Sequence, residues 1–429
     1  MHHTAAPHPS HPAHSAPSAH YAQPLTALLL SGGGARAAYQ VGVLEAIADL
    51  RRACQAQHAP NPFGILAGTS AGSINATALA CGADHFDLAV QRLARHWSAL
   101  DVGGVYRADH PGLLRTGMRW LGLLALGWAL PSRRHLRPRS LLDNSPLRER
   151  LQQLLPMHRI PALLDHGHLH ALAVTASSYT TGEHVTFFDT RGELEPWKRS
   201  QRSSRRTVLG HEHLLASSAI PFVFPATALP ADAPHEYFGD GAMRQTAPLS
   251  PVIHLGAQRV LVVGAGHSAV PQAAAGTASP DYPSLAQVAG HALSSIFLDT
   301  LPLDVERAQR INQTLALVPA AERARSGLRP LELLQISPSD RLDTLAAAHL
   351  HALPQGMRNL LRVLGVDSQR PDAQGAALAS YLLFTPSYIQ ALMALGRADT
   401  LARRDDVVRF LGWHDRGVAV TPHHSRVHH

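Results

Sequence analysis

Two short apolar runs, each followed by a glycine-rich turn and then by helical spacing, constrain the fold of this chain most strongly. The first reads LTALLLSGGGARAAYQ (residues 25–40) and the second FGILAGTSAGSINA (63–76). After the first turn, Val41, Leu44 and Ile47 fall on one face of a helix. A strand, a turn and a helix in repeated order are typical of a parallel sheet covered by helices. The sequence therefore predicts an α/β fold.

Composition divides the 429-residue chain into five segments. The predicted segments are a disordered tail rich in His, Pro and Ala (1–24), a globular domain (25–266), a linker or surface loop (267–283), a mainly helical region that packs on the core (284–412) and a flexible tail (413–429). Within the globular domain, further strands are predicted at 170–179, 184–189 and 259–266.

The net charge of +7 comes almost entirely from arginine, because Lys198 is the only lysine. Arginine favours forked contacts with phosphate and carboxylate groups. The charge suits an anionic membrane surface or a nucleic acid equally well, but no nucleic-acid-binding motif accompanies it, so we expect no nucleic-acid partner. The two cysteines, Cys54 and Cys81, form neither a disulfide framework nor a metal-binding motif. The oligomeric state does not follow from the sequence.

The expected location is the cytoplasm, with peripheral membrane contact. The N-terminal residues lack the charged and apolar regions of a secretory signal, and no apolar run reaches the roughly 20 residues that span a bilayer. Export without such a signal is also compatible. Residues 112–131 are apolar except for Arg115 and Arg119, and a basic cluster follows at 132–139. This segment suits either a membrane interface or a buried helix that caps the active site.

The glycine turn after the first strand first suggests a phosphate-binding site. Gly32, Gly34 and Ala37 fit the G-x-G-x-x-G/A pattern of dinucleotide-binding folds. That interpretation requires an acidic residue at the end of the second strand to hold the ribose, and none is present there. A P-loop is excluded, because no Gly-Lys-Ser/Thr follows the glycines. The sequence therefore argues against a bound nucleotide.

The second turn, GTSAG (68–72), matches the G-x-S-x-G pattern of a nucleophile elbow. The chemistry requires a sharp strand-to-helix turn that exposes the hydroxyl of Ser70, and small residues at Gly68 and Gly72 permit it. An ordinary glycine-rich loop with a serine N-cap is the alternative. Because the C-terminal ends of parallel strands share one edge of a sheet, the amides of Gly32, Gly33 and Gly34 are predicted close to Ser70, where they could bind an oxyanion.

Two kinds of base could activate Ser70. An α/β-hydrolase would use an aspartate and a later histidine such as His254 or His267, although 29 histidines make any such choice uninformative. The other candidate is Asp240, followed by Gly241 and Ala242. Partial burial in the crevice would raise the pKa of Asp240 and make it a usable base. A simple Asp-Gly turn is the alternative for this dipeptide.

Four segments together resemble the patatin-like phospholipases: SGGGARAAYQVGVLEAI, GTSAGSINA, ASSAIPFVFPA and DGAMRQTAPLSPVIHLGAQRVLVVG. The order of the glycine-rich loop, GxSxG and DGA is far more specific than any one motif. The resemblance covers residues 25–266 and implies a catalytic domain there. It also implies a three-layer α/β/α fold with a mainly parallel central sheet and a C-terminal helical extension.

The resemblance also assigns roles to residues. It implies Ser70 as the nucleophile and Asp240 as its base, with no histidine. It implies an oxyanion hole at Gly32, Gly33 and Gly34, with Arg36 at the family's Arg/Lys position, a nucleophile elbow of Gly68, Thr69, Ala71 and Gly72, and the DGA residues Gly241 and Ala242. Ala37 departs from the family, which often has glycine there.

The implied function is that of a serine lipid acyl hydrolase, a phospholipase A-type enzyme or esterase that forms an acyl-enzyme. Its partners would be phospholipids or other acyl esters, with no cofactor and no metal. A hydrolase with a Ser-Asp-His triad is one alternative, and a non-catalytic membrane scaffold on the same fold is another. Histidines in HGHLH (166–170) and HEH (211–213) could bind a metal, but no third-ligand spacing supports a zinc site.

Overall fold

The computed structural model describes residues 24–107, 140–229, 236–243, 245–266, 288, 291, 300–363, 366 and 373–413. Several segments discussed above lie outside the described residues. They are the N-terminal tail up to residue 23, the apolar segment 112–131 with the basic cluster 132–139, the loop 267–283 with His267, and the C-terminal tail from residue 414.

Ten strands form one sheet across the described part of the chain. They are β1 (Thr26–Leu30), β2 (Ile65–Thr69), β3 (Ala171–Ser178), β4 (His184–Thr190), β5 (Lys198–Arg199), β6 (Arg202–Arg206), β7 (Thr227–Leu229), β8 (Glu236–Asp240), β9 (Arg259–Val263) and β10 (Glu332–Ile336). The order is β10-β9-β1-β2-β3-β4-β6-β5, and β8 joins β3 and carries β7.

Helices cover this sheet. The α-helices are α1 (Ala38–Ala53), α2 (Ala71–Ala80), α3 (Phe86–Ser98), α4 (Ser145–Leu154), α5 (Ile160–Asp165), α6 (His211–Ser217), α7 (Ser250–His254), α8 (Thr300–Leu317), α9 (Ala320–Arg325), α10 (Leu342–His349), α11 (Gln355–Val363), α12 (Ala373–Leu382), α13 (Pro386–Ala402) and α14 (Arg404–Phe410). Short 3₁₀ turns lie at Gly34–Ala37, Val102–Gly104, Met157–Arg159 and Leu350–Ala352.

The strands separate two hydrophobic cores. Leu28 and Leu30 of β1 belong to one core, whereas Ala27 and Leu29 belong to the other. Because alternate side chains point to opposite faces of a sheet, a strand buried on both faces reads as a continuous apolar run. This explains the sequence LTALLL. From β10 to β3 the neighbouring strands are parallel, while β4 and β8 run antiparallel to β3. The predicted three-layer fold with a mainly parallel central sheet is confirmed.

The junction of β2 and β8 on β3 places the two predicted catalytic residues side by side. β2 pairs with β3 as far as Thr69, which lies opposite Thr175. At the next position of β3, Ala176 pairs with Asp240, the last residue of β8. The two strands therefore occupy the same side of β3 and meet end to end. Ser70, which follows β2, is thereby brought against Asp240 although the two are 170 positions apart in the chain.

The C-terminal region contributes to the sheet as well as to the helices. β10 lies at the sheet edge, parallel to β9. It was not predicted, because a five-residue apolar run cannot be told from part of a buried helix by periodicity alone. α13 packs closely along α1 through two glycines. A Cβ on Gly42 would lie 1.9 Å from the Met393 carbonyl oxygen, and one on Gly396 would lie 2.1 Å from that of Tyr39.

No single helix among the described residues has the length and the apolar composition needed to cross a membrane. One bent pair, Ala376–Leu382 of α12 with α13, satisfies the criterion of length and composition when its two helices are taken together.

Candidate active site

Ser70 lies in a strained turn between β2 and α2. Its φ of 53° is in the left-handed region, which costs a non-glycine residue about 1–3 kcal/mol unless the surroundings enforce it. Here the Ser70 amide donates to Ser217 Oγ at 2.8 Å, and Ser217 Oγ donates to the Thr175 carbonyl at 2.6 Å. Ser73 Oγ also donates to the Ser70 carbonyl at 2.6 Å. These contacts hold the turn on both its amide and its carbonyl side.

The glycines on either side of Ser70 are required by close backbone contacts. A Cβ on Gly68 would lie 2.4 Å from the Gly72 carbonyl oxygen. A Cβ on Gly72 would lie 2.4 Å from the Leu30 carbonyl oxygen at the end of β1. The second contact brings the first turn of α2 against the strand that leads into the glycine turn. Thr69 and Ala71, the other two residues of the predicted elbow, are buried beside Ser70.

Ser70 and Asp240 form a direct hydrogen bond. Ser70 Oγ donates to Asp240 Oδ2 at 2.6 Å, and the Ala242 amide donates to Asp240 Oδ1 at 2.9 Å. Asp240 has no exposed surface. Burial therefore raises the pKa of its carboxyl group to about 7, against the smaller opposite effect of these two hydrogen bonds. The carboxyl group can accept and release a proton near neutral pH.

The DGA segment is held by backbone contacts and by a buried histidine. A Cβ on Gly241 would lie 1.9 Å from the Thr175 carbonyl oxygen, so glycine is required at this position. His184 on β4 donates from Nε2 to the Gly241 carbonyl at 2.5 Å. Burial lowers the pKa of His184 to about 4, so the ring is neutral at physiological pH. No role was predicted for His184 or for Ser217, although Ser217 lies in ASSAIPFVFPA, a segment that carries part of the family resemblance.

The glycine turn lies beside Ser70 with free donors. Gly32, Gly33 and Gly34 follow β1, and Gly34 lines the same cavity as Ser70. Gly34 has a φ of 55°, and a Cβ there would lie 2.3 Å from the Tyr381 carbonyl oxygen. Within the described part of the chain, no backbone oxygen accepts a hydrogen bond from the amide of Gly33 or Gly34. These amides can therefore bind a negatively charged oxygen.

The Arg36 side chain contacts the C-terminal helices. Its Nε donates to Ser380 Oγ at 2.8 Å, and its guanidinium carbon lies 4.2 Å from the centre of the Tyr381 ring. Both partners belong to α12. The side chain therefore fastens the glycine turn to α12, and any contribution of Arg36 to an oxyanion hole acts through the position of the turn.

A second set of buried polar groups connects the glycine turn to α1, α2 and α3. Gln40 Nε2 donates to the Ser31 carbonyl at 2.7 Å. Asn75 Nδ2 donates to Gln40 Oε1 at 2.9 Å, and Trp97 Nε1 donates to Asn75 Oδ1 at 2.8 Å. Because unpaired buried polar groups are costly, this network favours one arrangement of the turn against α1, α2 and α3. Sequence reasoning did not identify it.

A cavity of about 140 Å³ opens from Ser70. Its walls are mostly apolar side chains of α2, α3, α4 and the segment 218–224. Charged groups lie where it meets solvent: Arg92 is exposed, and His96 and Arg150 are half-buried. Burial lowers the pKa of His96, and the positive charges of Arg150, Arg95 and Arg92 lower it further. The site thus combines a hydroxyl–carboxyl pair, free amides and an apolar cavity with a cationic mouth.

The described histidines that the sequence offered as an alternative base or as metal ligands do not contact Ser70 or Asp240. No histidine in the described ranges hydrogen-bonds to Ser70 or Asp240. His254 stacks on Trp197 at 4.7 Å between ring centres and contacts the Ser250 carbonyl. Among the described residues, including HGHLH and HEH, no three His, Cys, Asp or Glu side chains form a group that could hold a metal ion.

Comparisons with known proteins add one decisive finding. The family model of the patatin-like phospholipases matches residues 28–253, a little more than half of the chain. A comparison with curated proteins finds no match.

Two solved structures resemble the chain only distantly. VipD from Legionella pneumophila aligns at 12% identity and a TM-score of 0.27, over 89% of this chain and 67% of VipD. The second is the structure of the heterodimeric complex ExoU-SpcU from the type III secretion system of Pseudomonas aeruginosa. One chain of it aligns at 17% identity and a TM-score of 0.22, over 92% of this chain and 80% of that chain. At TM-scores this low, neither alignment carries an argument.

Proposed function

The chain belongs to the patatin-like phospholipase family, and on this basis we propose that it is a serine lipid acyl hydrolase, a phospholipase A-type esterase, that acts through Ser70 and Asp240. The observation that carries the proposal is the 2.6 Å hydrogen bond from Ser70 Oγ to Asp240 Oδ2. A nucleophile next to a buried base is the arrangement that acyl transfer requires.

Acylation begins when Ser70 Oγ attacks the carbonyl carbon of the bound ester. The hydroxyl proton passes to Asp240 Oδ2, and the carbonyl oxygen becomes an oxyanion that the amides of Gly33 and Gly34 stabilise. The tetrahedral intermediate then collapses. The bond to the alcohol breaks, the alcohol leaves with the proton from Asp240, and the acyl group remains on Ser70.

Deacylation repeats these steps with water. Asp240 takes a proton from the attacking water molecule, whose oxygen bonds to the acyl carbon. The bond to Ser70 Oγ breaks, the carboxylic acid leaves, and Ser70 regains its proton from Asp240. A pKa of about 7 suits this double role, because proton transfer in both directions is efficient when the pKa lies near the working pH.

Two substitutions test the dyad. Ser70→Ala and Asp240→Asn should each lower the hydrolysis of a short-chain chromogenic ester by about 10⁴-fold or more. His254→Ala is the control and should retain activity, since His254 packs on Trp197. Ester hydrolysis that persists in either dyad variant would overturn the proposal. Loss of activity in a folded His254→Ala protein would favour the Ser-Asp-His alternative.

A fluorophosphonate probe separates the enzyme from a non-catalytic scaffold. The probe reacts with an activated serine, so mass spectrometry should find it on Ser70 in the wild type. Asp240→Asn should greatly slow this labelling, because the serine proton then has no acceptor. A wild-type protein that stays unlabelled at Ser70 and hydrolyses no ester would be a scaffold.

We also propose that the cavity mouth contacts an anionic membrane surface. Phe222 is 76% exposed and has a φ of 65°, between Ile220 and Phe224, which line the cavity. Arg92 and Arg150 at the mouth form no ion pair with any described residue. An exposed aromatic side chain between two cavity-lining residues, together with cavity-lining arginines that pair with no described residue, suits the interface of an anionic bilayer. The cytoplasmic location stays a prediction.

Vesicle sedimentation tests this contact. Binding to phosphatidylglycerol-containing vesicles should fall about tenfold or more in Arg92→Glu/Arg150→Glu, because each basic residue near the surface contributes about 1 kcal/mol. Phe222→Ser should also weaken binding, whereas Leu317→Ser, at an 86% exposed position on α8, serves as the control. Unchanged binding of the double charge variant would contradict the proposed contact.

A further inference from the structure

The cavity at Ser70 follows one face of α2. Ala71, Ile74 and Ala78 line it at intervals of three and four residues, and Cys81 follows at its far part. Residues at this spacing lie in one row along a helix. Ile74 and Ala78 are only half-buried, although the rest of α2 is buried. Part of the cavity therefore extends from Ser70 along the axis of α2, and we call this part the channel.

The length of the channel suits the acyl chain of a membrane lipid. At 1.5 Å per helical residue, the distance from Ala71 to Cys81 along α2 is about 15 Å. The hydrocarbon core of a bilayer is about 30 Å thick, so the chains of one leaflet extend over about 15 Å. An extended acyl chain with its ester at Ser70 would fill the channel to the region of Cys81.

The walls of the channel are apolar on each side. α3 contributes Leu93 and Trp97, and Leu151 of α4 and the adjoining Leu155 line the opposite side. Burial raises the pKa of Cys81 to about 12, so its thiol stays protonated at the far part of the channel. Away from the cationic mouth, these walls offer a hydrocarbon chain contact without leaving polar groups unpaired.

We propose that this channel is the acyl-chain subsite, and that Ile74 and Ala78 set the length of the acyl chain that the enzyme accepts. The inference rests on the proposed function, because it takes the ester to be bound at Ser70. It goes beyond that function by naming two specificity-determining positions of this chain.

Each position should act at its own distance from the nucleophile. Ile74 lies four residues and about 6 Å beyond Ser70, and Ala78 lies eight residues and about 12 Å beyond it. A bulky side chain at Ala78 should block the channel near its far end, and one at Ile74 should block it nearer the ester. The longest acyl chains that the two variants accept should differ by about 6 Å in extended length.

The experiment measures kcat/KM for a series of p-nitrophenyl esters from acetyl to palmitoyl. In Ala78→Trp, the ratio of palmitoyl to butyryl hydrolysis should fall about tenfold or more, as expected when a pocket rejects methylene groups. In Ile74→Trp, the decline should begin at shorter chains. Leu88→Trp is the matched control, because Leu88 is 39% exposed on α3 and does not line the channel; its profile should equal that of the wild type.

The outcomes separate this inference from the proposed function. If the wild type shows no Ser70-dependent hydrolysis of any ester, the proposed function fails. If that hydrolysis is present but Ala78→Trp and Ile74→Trp keep the wild-type chain-length profile, the acyl-chain subsite is overturned and the dyad stands. Circular dichroism and fluorophosphonate labelling of each variant show whether the fold and Ser70 remain intact, and Ala78→Leu provides a smaller obstruction if Ala78→Trp does not fold.

Discussion

The two halves of the candidate active site are held in place by different parts of the chain. Ser70 and Asp240 are positioned within residues 65–242, by the pairing of β2 and β8 with β3 and by contacts among their own glycines. The glycine turn is held by Gln40 of α1 and, in addition, by α12 through Arg36, Ser380 and Tyr381. The dyad is therefore specified inside the matched family region, 28–253, whereas its predicted oxyanion hole also depends on residues beyond it.

This difference shows that a motif marks the groups that do chemistry but not always those that position them. The dyad half is rigid because backbone meets backbone, as at Gly241 and Thr175. The glycine-turn half has one close backbone contact, between Gly34 and Tyr381, but it also depends on side-chain contacts that can be removed one at a time. We therefore expect mutations to damage the first half abruptly and the second by degrees.

Gly241→Ala should have the largest effect, because it breaks the dyad half. Its Cβ would lie 1.9 Å from the Thr175 carbonyl oxygen. Overpacking of this kind costs about 3 kcal/mol of unfolding free energy, and the displaced Asp240 should leave no measurable ester hydrolysis. Urea denaturation and ester assays measure the two effects.

Gly103→Ala is the control for this substitution. The nearest atom to a Cβ at Gly103 is an Asp101 carboxylate oxygen at 3.8 Å, an ordinary contact. Its stability and activity should stay close to those of the wild type. Wild-type activity in Gly241→Ala would show that β8 can shift without cost, contrary to the rigidity described above.

The next largest effect should come from titration of the dyad half. Asp240 must be deprotonated to act as base, and its pKa is raised to about 7 by burial. The value of kcat/KM should therefore fall about tenfold per pH unit below this pKa and level off above it. His184, with a pKa lowered to about 4, stays neutral over that range. A profile that is flat between pH values of about 5 and 8 would exclude Asp240 as the base.

The same pKa shift has a consequence for stability, whose sign follows from linkage. Because folding raises the pKa of Asp240, its contribution to stability is present below the ordinary carboxyl value of 3.8 and is lost as the pH rises through about 7. Asp240→Asn removes the titrating carboxyl group and with it this loss of stability at higher pH. The variant should therefore gain stability relative to the wild type as the pH rises from about 4 to about 8, measured by thermal unfolding.

The smallest effect should come from loosening the glycine turn. Ser380→Ala combined with Tyr381→Leu removes the hydrogen bond and the ring contact that the Arg36 side chain makes with α12. Because loss of a whole oxyanion donor costs about 10²–10³ in kcat, a displaced turn should cost about tenfold, with little change in KM. Tyr381→Phe keeps the ring and should retain activity. A double variant that raises KM alone would assign α12 to substrate binding instead.

The sequence predicted which residues meet at the candidate site better than it predicted the contacts that hold them there. Gly32–Gly34, Ser70 and Asp240 lie in short local motifs that can be recognised in the sequence. The strands β1, β2, β3 and β9 coincide with buried apolar runs, which predict strands. β10 did not, since its five residues fit a helix equally well. Ser217, His184 and the contacts of Arg36 escaped prediction because they join residues far apart in the chain, and no local periodicity marks such pairs.

The junction of β2 and β8 on β3 also links activity to the order of folding. Ser70 lies early in the chain, and its strained turn is held in part by Ser217, which comes much later in the chain. Asp240 comes next to Ser70 only after β8 has paired with the C-terminal end of β3. Contacts between residues so far apart in the sequence form slowly. A chain in which β8 has not joined β3 therefore contains Ser70 without Asp240 beside it. Under the proposed function, ester hydrolysis should appear only when this part of the sheet is complete.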